Sequence, residues 1–90
     1  MIQIKILSYK SPQRYAVRRT LTAAQNELQK TCPAMAVEVS EVKQLSEMLT
    51  YTPVVILPSL VINEKLVCIG RFPRKDEVIT WLQEAMTRQD

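Results

Sequence analysis

The 90-residue sequence contains no histidine, a single glycine and only two cysteines. Without histidine, the chain has no Ser-His or Cys-His pair for nucleophilic catalysis and no histidine-ligated zinc site. One glycine is too few for a glycine-rich phosphate loop or a dinucleotide-binding fingerprint. The cysteines, Cys32 and Cys68, are too few and too far apart for a four-thiolate metal site. We therefore expect neither a metal nor a cofactor.

The sequence also lacks an apolar run of the roughly 18 residues that span a membrane. Its first residues contain neither a basic leader nor a small-residue cleavage site, so we expect a cytoplasmic protein without membrane contact. The net charge of +3 is modest and the aromatic residues are not spaced for base stacking, so nucleic acid is not an expected partner. Globular composition and this length predict one domain over residues 1–90.

Hydrophobic patterns with the period of a strand occur four times. The predicted strands are residues 2–7, 35–39, 59–62 and 66–69. The first two flank a helical segment and should therefore be parallel, joined by a right-handed crossover. The last two are separated only by Asn63 and Glu64, which predicts an antiparallel hairpin.

Helical patterns alternate with these strands and complete the order β-α-β-α-β-β-α. Ser11 should cap the first helix and Pro12 suits its first turn, while Pro33 ends it. Ser40 is predicted to cap a short second helix that closes before Pro53. The buried side of this second helix is predicted to be Val42, Leu45, Met48 and Leu49. The last helix is predicted to bury Val78, Trp81, Leu82, Ala85 and Met86.

Several segments together resemble a known family in their order and spacing. They are Ile4-Lys5-Ile6-Leu7, Pro12, Pro58-x-Leu60-Val61-Ile62, Lys65-Leu66-Val67-x-x-Gly70-Arg71-x-Pro73 and Asp76-Glu77. Over nearly its full length the chain is similar to small thioredoxin-like domains of bacteria and archaea, sometimes called redox-active disulfide proteins. The resemblance implies an α/β thioredoxin-like fold, with a four-stranded mixed sheet of order 4-3-1-2 and helices on both faces. It also implies that Pro58 is a cis-proline facing the active site.

The resemblance further implies where redox cysteines would stand, and this chain has none there. Ser11-Pro12-Gln13-Arg14 replaces the Cys-x-x-Cys motif, with Ser11 at the attacking position and Arg14 at the resolving position. Disulfide exchange needs a thiolate, and no histidine is present to activate the serine. We therefore expect a degenerate, redox-inactive active site without thioredoxin-type disulfide oxidoreductase activity.

The two remaining cysteines leave an alternative function open. In the implied sheet order they lie near opposite edges, roughly 14 Å apart, which is too far for a disulfide. Cys68 lies within a predicted strand, where a buried thiol filling core space is the expected role. The alternative is a single-cysteine thiol–disulfide redox protein that acts through Cys68 or Cys32. That chemistry would need a thiol of lowered pKa.

The implied fold gathers cations at the sheet edge that carries Pro58. These cations are Lys10, Arg14, Arg71 and Arg74. Cations at a helix start oppose the helix dipole, and a bound small anion would offset that repulsion. Solvated surface charge, offset by nearby acidic residues, is the other interpretation. The edge also suits another protein or an extended peptide, so the favoured prediction is a binding or adaptor module.

Overall fold

The structure is a computed structural model that describes residues 1–53 and 55–87. In these ranges the elements are β1 (Ile2–Leu7), α1 (Ser11–Gln29), β2 (Val37–Val42), α2 (Leu45–Tyr51), β3 (Ser59–Ile62), β4 (Lys65–Ile69) and α3 (Lys75–Thr87). Their order is the β-α-β-α-β-β-α that the hydrophobic patterns predict. The second strand begins and ends later than predicted.

The strands form one mixed sheet in the order β2-β1-β3-β4. β1 is parallel to β2 and antiparallel to β3, and β3 is antiparallel to β4. Taken from the opposite edge this is the order 4-3-1-2, so the predicted fold class is confirmed. The Asn63-Glu64 turn has positive φ at both residues, 50° and 68°, as a type I′ hairpin turn requires.

The larger core lies between the sheet and the helices α1 and α3. Its buried residues include Ile2, Ile4 and Ile6 of β1, Val17, Leu21, Ala24 and Leu28 of α1, and Val78 and Leu82 of α3. The three isoleucines share a face because alternate residues of a strand point the same way. Of the predicted inward residues of α3, Trp81, Ala85 and Met86 are only partly buried and pack at the margin of this core.

A smaller core covers the other face of the sheet. It consists of Leu7, Val42, Met48 and Val61, of which Met48 is contributed by α2. Helices therefore lie on both faces, as the implied fold requires. None of the helices in the described ranges is long and apolar enough to cross a membrane. The cytoplasmic location stays a prediction.

The structure corrects the predicted second helix. Ser40 does not cap it, because Ser40 is paired with Lys5 inside β2 and the helix begins five residues later. Leu45 and Leu49 are not buried, since each keeps 50% of its surface exposed. In the seven-residue α2, Met48 is the buried residue, and Tyr51 packs at the margin of the smaller core.

Candidate functional site

At one edge of the sheet, β1, β2 and β4 end and β3 begins. Leu7 is level with Val42 of β2 and with Ser59 of β3, and Ser59 is level with Ile69 of β4. The loops that follow β1 and β4, and the loop that precedes β3, therefore meet at one edge of the sheet. We call this the Pro58 edge and define it as residues 8–14, 56–58 and 69–74.

Pro58 is buried at the start of β3, and the Leu57–Pro58 peptide bond is cis. The carbonyl oxygen of Pro58 accepts a hydrogen bond from the Gly70 N–H at 2.9 Å. Gly70 has a φ of 69°, and a Cβ atom there would lie 2.5 Å from Cγ2 of Ile56. Glycine is needed at this position for both reasons, since it tolerates positive φ and leaves room for Ile56. The β4 exit loop is thus held directly against the residues before β3.

Ser8 organises the start of α1. Its buried hydroxyl accepts the Lys10 N–H at 3.1 Å and donates to Oε1 of Gln13 at 2.6 Å. Helix α1 begins at Ser11 itself, so the predicted cap is wrong: Lys10 holds the capping position, without a side-chain cap hydrogen bond. The sequence interpretation missed Ser8 because a serine three residues before a predicted helix carries no local helix signal.

Arg14 is engaged within the protein. Its side chain is only 12% exposed, and its Nε lies 3.4 Å from Oε1 of Glu41. Its guanidinium donates to the Ser8 carbonyl oxygen at 3.1 Å and to the Ser11 Oγ at 2.9 Å. Glu41, on β2, also pairs with Arg18 at 3.4 Å. Arg14 therefore ties the start of α1 to the end of β2, and its charge is already paired with Glu41.

Glu77, together with Asp76, pairs with the other two predicted arginines. Arg71 forms a bidentate pair with Glu77, at 2.7 Å for each oxygen. The Arg74 N–H donates to Glu77 Oε1 at 3.0 Å, and the Arg74 guanidinium lies 3.7 Å from that oxygen and from Asp76 Oδ1. The hydrogen bonds from Arg71, and then that from the Arg74 N–H, lower the pKa of Glu77 to about 2. These acidic partners favour the interpretation that the arginines near the start of α3 are surface charges offset by neighbouring carboxylates.

Glu77→Gln is expected to remove an acid-sensitive contribution to stability. Because folding lowers the pKa of Glu77 from 4.5 to about 2, its contribution is present above pH 4.5 and is lost as the pH falls through about 2. Melting temperatures measured from neutral to acidic pH should fall more steeply in that window for the wild type than for Glu77→Gln. Asp76→Asn controls for the removal of a carboxylate from the same helix turn, since Asp76 is 76% exposed. If melting temperature fell equally with pH in the wild type and in Glu77→Gln, the lowered pKa of Glu77 would be contradicted.

The two cysteines are free thiols in different surroundings. Cys68 is buried in β4, where its Sγ donates to the Arg71 carbonyl oxygen at 3.3 Å. Burial raises the pKa of the Cys68 thiol, so the thiolate is scarce at neutral pH. Cys32 is half-buried beyond the end of α1. These surroundings do not favour the single-cysteine redox alternative at Cys68.

Alkylation should separate the two thiols. In the Cys32→Ser variant, Cys68 is expected to label slowly, with a rate that is still rising at its ordinary pKa of 9.0 and has not levelled off there, because burial disfavours its thiolate. In the Cys68→Ala variant, the half-buried Cys32 should label faster at the same pH. Iodoacetamide kinetics across pH provide the measurement. Rapid labelling of Cys68 below about pH 7 would instead support a reactive thiol.

Besides Ile69 at the end of β4, three half-exposed apolar side chains lie on the loops of the Pro58 edge. They are Tyr9, Ile56 and Phe72, which we call the apolar rim. They belong to the three loops that the strand register brings together, after β1, before β3 and after β4. The sequence interpretation considered the cations of this edge and missed its apolar residues, because apolar residues in loops show no periodicity.

Comparison with known proteins agrees with this architecture. A family model described as a thioredoxin domain matches residues 2–83. The matched range runs from the start of β1 into α3 and so includes every segment of the Pro58 edge. A search of curated proteins finds no match to the chain.

Proposed function

The chain belongs to the thioredoxin-domain family, and from this membership we propose that it is a redox-inactive binding module that uses the Pro58 edge. Thiol–disulfide exchange at this edge would need a thiolate nucleophile at the positions of the family's attacking and resolving cysteines. At the positions assigned to them stand Ser11 and Arg14, whose side chains are hydrogen-bonded to each other at 2.9 Å. This pair carries the proposal, because a hydroxyl and a guanidinium stand where the reactive thiols would be. Neither group takes part in thiol–disulfide exchange.

The apolar rim supports a proposal about the kind of partner. Tyr9, Ile56 and Phe72 leave about half of their surface in contact with water, although the loops that carry them are held close to the buried Pro58. Aromatic and aliphatic side chains in such a position are typical anchors of protein–protein interfaces. We propose that the partner is an extended peptide segment of another protein, with an apolar side chain that packs into the rim.

Three of the four cations predicted at this edge are paired within the protein, which favours an apolar contact over a small anion. Lys10 is the exposed fourth. Arg14 is paired with Glu41, and Arg71 and Arg74 are paired with Glu77. Phosphate at millimolar concentration is therefore expected to leave the amide NMR signals of residues 10–14 and 70–74 unshifted. Shifts confined to those residues would assign an anion to this edge.

A peptide-display selection tests the proposal. Peptides enriched on the wild-type protein should bind Phe72→Ser and Ile56→Ser at least about tenfold more weakly, the loss expected when an interface anchor is removed. Tyr15→Ser is the matched control, since Tyr15 is 70% exposed on α1 and lies outside the rim. It should leave the affinity unchanged. Failure to enrich any peptide, or enriched peptides that bind all three variants equally, would overturn the proposal.

A further inference from the structure

Four of the six sulfur-containing residues of the chain line one cleft at the end of the sheet opposite the Pro58 edge. The cleft has a volume of about 320 Å³ and is lined by Met1, Cys32, Met35 and Met86, together with Ile2 and residues 33–36. The chain has four methionines and two cysteines. Met48 lies in the smaller core and Cys68 within β4, so neither belongs to this sulfur cleft.

The backbone places two of these sulfur residues at the ends of a tight turn. The Met35 N–H donates to the Cys32 carbonyl oxygen at 3.0 Å, which closes a four-residue turn with Pro33 at its second position. Proline is favoured there because its fixed φ suits that position, and such a turn keeps its end residues within about 7 Å. The Ile2 N–H donates to the Ala36 carbonyl oxygen at 2.9 Å and holds the turn against the start of β1. The Cα atoms of Cys32 and Met35 therefore lie within about 7 Å of each other.

We propose that the sulfur cleft binds one soft monovalent cation of the copper(I) class through the sulfur atoms of Cys32, Met35 and Met86. Thiolate and thioether ligands select copper(I) over harder ions. The residues lining the cleft include no carboxylate or imidazole that would suit a hard divalent cation. Across the described ranges, no group of three or more His, Cys, Asp or Glu side chains could hold a metal ion. The proposed site differs from such groups because two of its three ligands are methionines.

The carboxyl end of α1 places partial negative charge beside Cys32. Cys32 follows the end of α1, and its N–H donates to the Leu28 carbonyl oxygen at 2.7 Å. The carboxyl end of a helix carries partial negative charge, and the last turn of α1 contains no basic residue, although the exposed Lys30 follows it. The Thr31 hydroxyl also donates to Cys32 Sγ at 3.8 Å. One thiolate and two neutral thioethers would balance the single positive charge of the ion.

Silver(I), which needs no reductant, is the probe for the first test. We expect silver nitrate, titrated in chloride-free buffer into protein labelled at the methionine methyl carbons, to saturate at one equivalent. The methyl signals of Met35 and Met86 should shift on binding. The signal of Met48 should not move, because that side chain is buried in the smaller core. Zinc(II) should shift none of them. No methyl shift at all with silver(I), or an equal shift at Met48, would overturn the proposal.

Affinities of variants for copper(I), measured by competition with a chromophoric chelator, complete the test. Cys32→Ser, Met35→Leu and Met86→Leu should each weaken binding by at least about tenfold, as loss of one metal-site residue commonly does. Met48→Leu and Cys68→Ser should bind like the wild type. If only Cys32→Ser weakens binding, the ion is held by a single thiol and the proposed site is wrong. Circular dichroism of each variant checks that it folds.

Discussion

The double variant Ser11→Cys, Arg14→Cys is expected to form a reducible disulfide that the wild type does not have. The two positions face each other across the first turn of α1, since Arg14 already donates to the Ser11 hydroxyl at 2.9 Å. Residues three apart on a helix have Cβ atoms within about 6 Å, close enough for a disulfide after small adjustment. A thiol at position 11 would also lie at a helix N-terminus, which lowers its pKa and speeds exchange. Mass spectrometry after equilibration in a glutathione buffer gives the oxidised fraction.

The control for this variant is Ser11→Cys, Gln13→Cys, because residues two apart on a helix do not face each other. Both pairs should be made in a Cys32→Ser background, which leaves only the buried Cys68 as a native thiol. The first pair should oxidise and the control should stay reduced. A folded Ser11→Cys, Arg14→Cys protein that fails to oxidise would contradict the assignment of residues 11–14 to the family's cysteine positions.

Leu82→Ala is expected to lower the free energy of unfolding by about 2–5 kcal/mol. Leu82 is fully buried on α3, where it packs in the larger core, so truncation removes apolar contacts and leaves a cavity. Leu45→Ala on α2 is the matched control, since the same change at a side chain that is 50% exposed should alter stability by no more than about 0.5 kcal/mol. Urea denaturation followed by circular dichroism provides both values.

This pair of leucines also tests the orientation of α2. The hydrophobic pattern of the sequence predicts that Leu45 is buried, and the structure places it half in solvent. A loss of more than about 2 kcal/mol for Leu45→Ala would indicate that α2 turns that side chain towards the sheet after all.

The success of the fold prediction and the error at α2 have one physical origin. In β1 and α1, the apolar period persists long enough to identify a single buried face, and the structure buries that face. In α2, two turns of helix contain Leu45, Met48 and Leu49, and which of them is covered depends on the sheet beneath it. Local sequence does not contain that information, because the covering residues are Leu7, Val42 and Val61 of three different strands.

The candidate site also has features that the sequence predicts and features that depend on residues remote in sequence. The gathering of cations at the Pro58 edge could be predicted, because chain order and strand direction determine which loops meet. Whether each cation is free of an acidic partner could not be predicted from the sequence. For example, Glu41, the partner of Arg14, lies on β2 and is remote from it in sequence. The sulfur cleft was missed for a similar reason: Cys32 and Met86 lie on segments that only the packing of α3 brings together.

The contact between Gly70 and Ile56 has an evolutionary consequence. Ile56 can have its branched side chain at the rim only while position 70 has none, since a Cβ atom at residue 70 would lie 2.5 Å from it. The two positions should therefore covary in sequence. A relative that has alanine at position 70 should have a smaller residue at position 56. Selectivity for partners at this rim would then change through a backbone position that itself contributes no side chain to the contact.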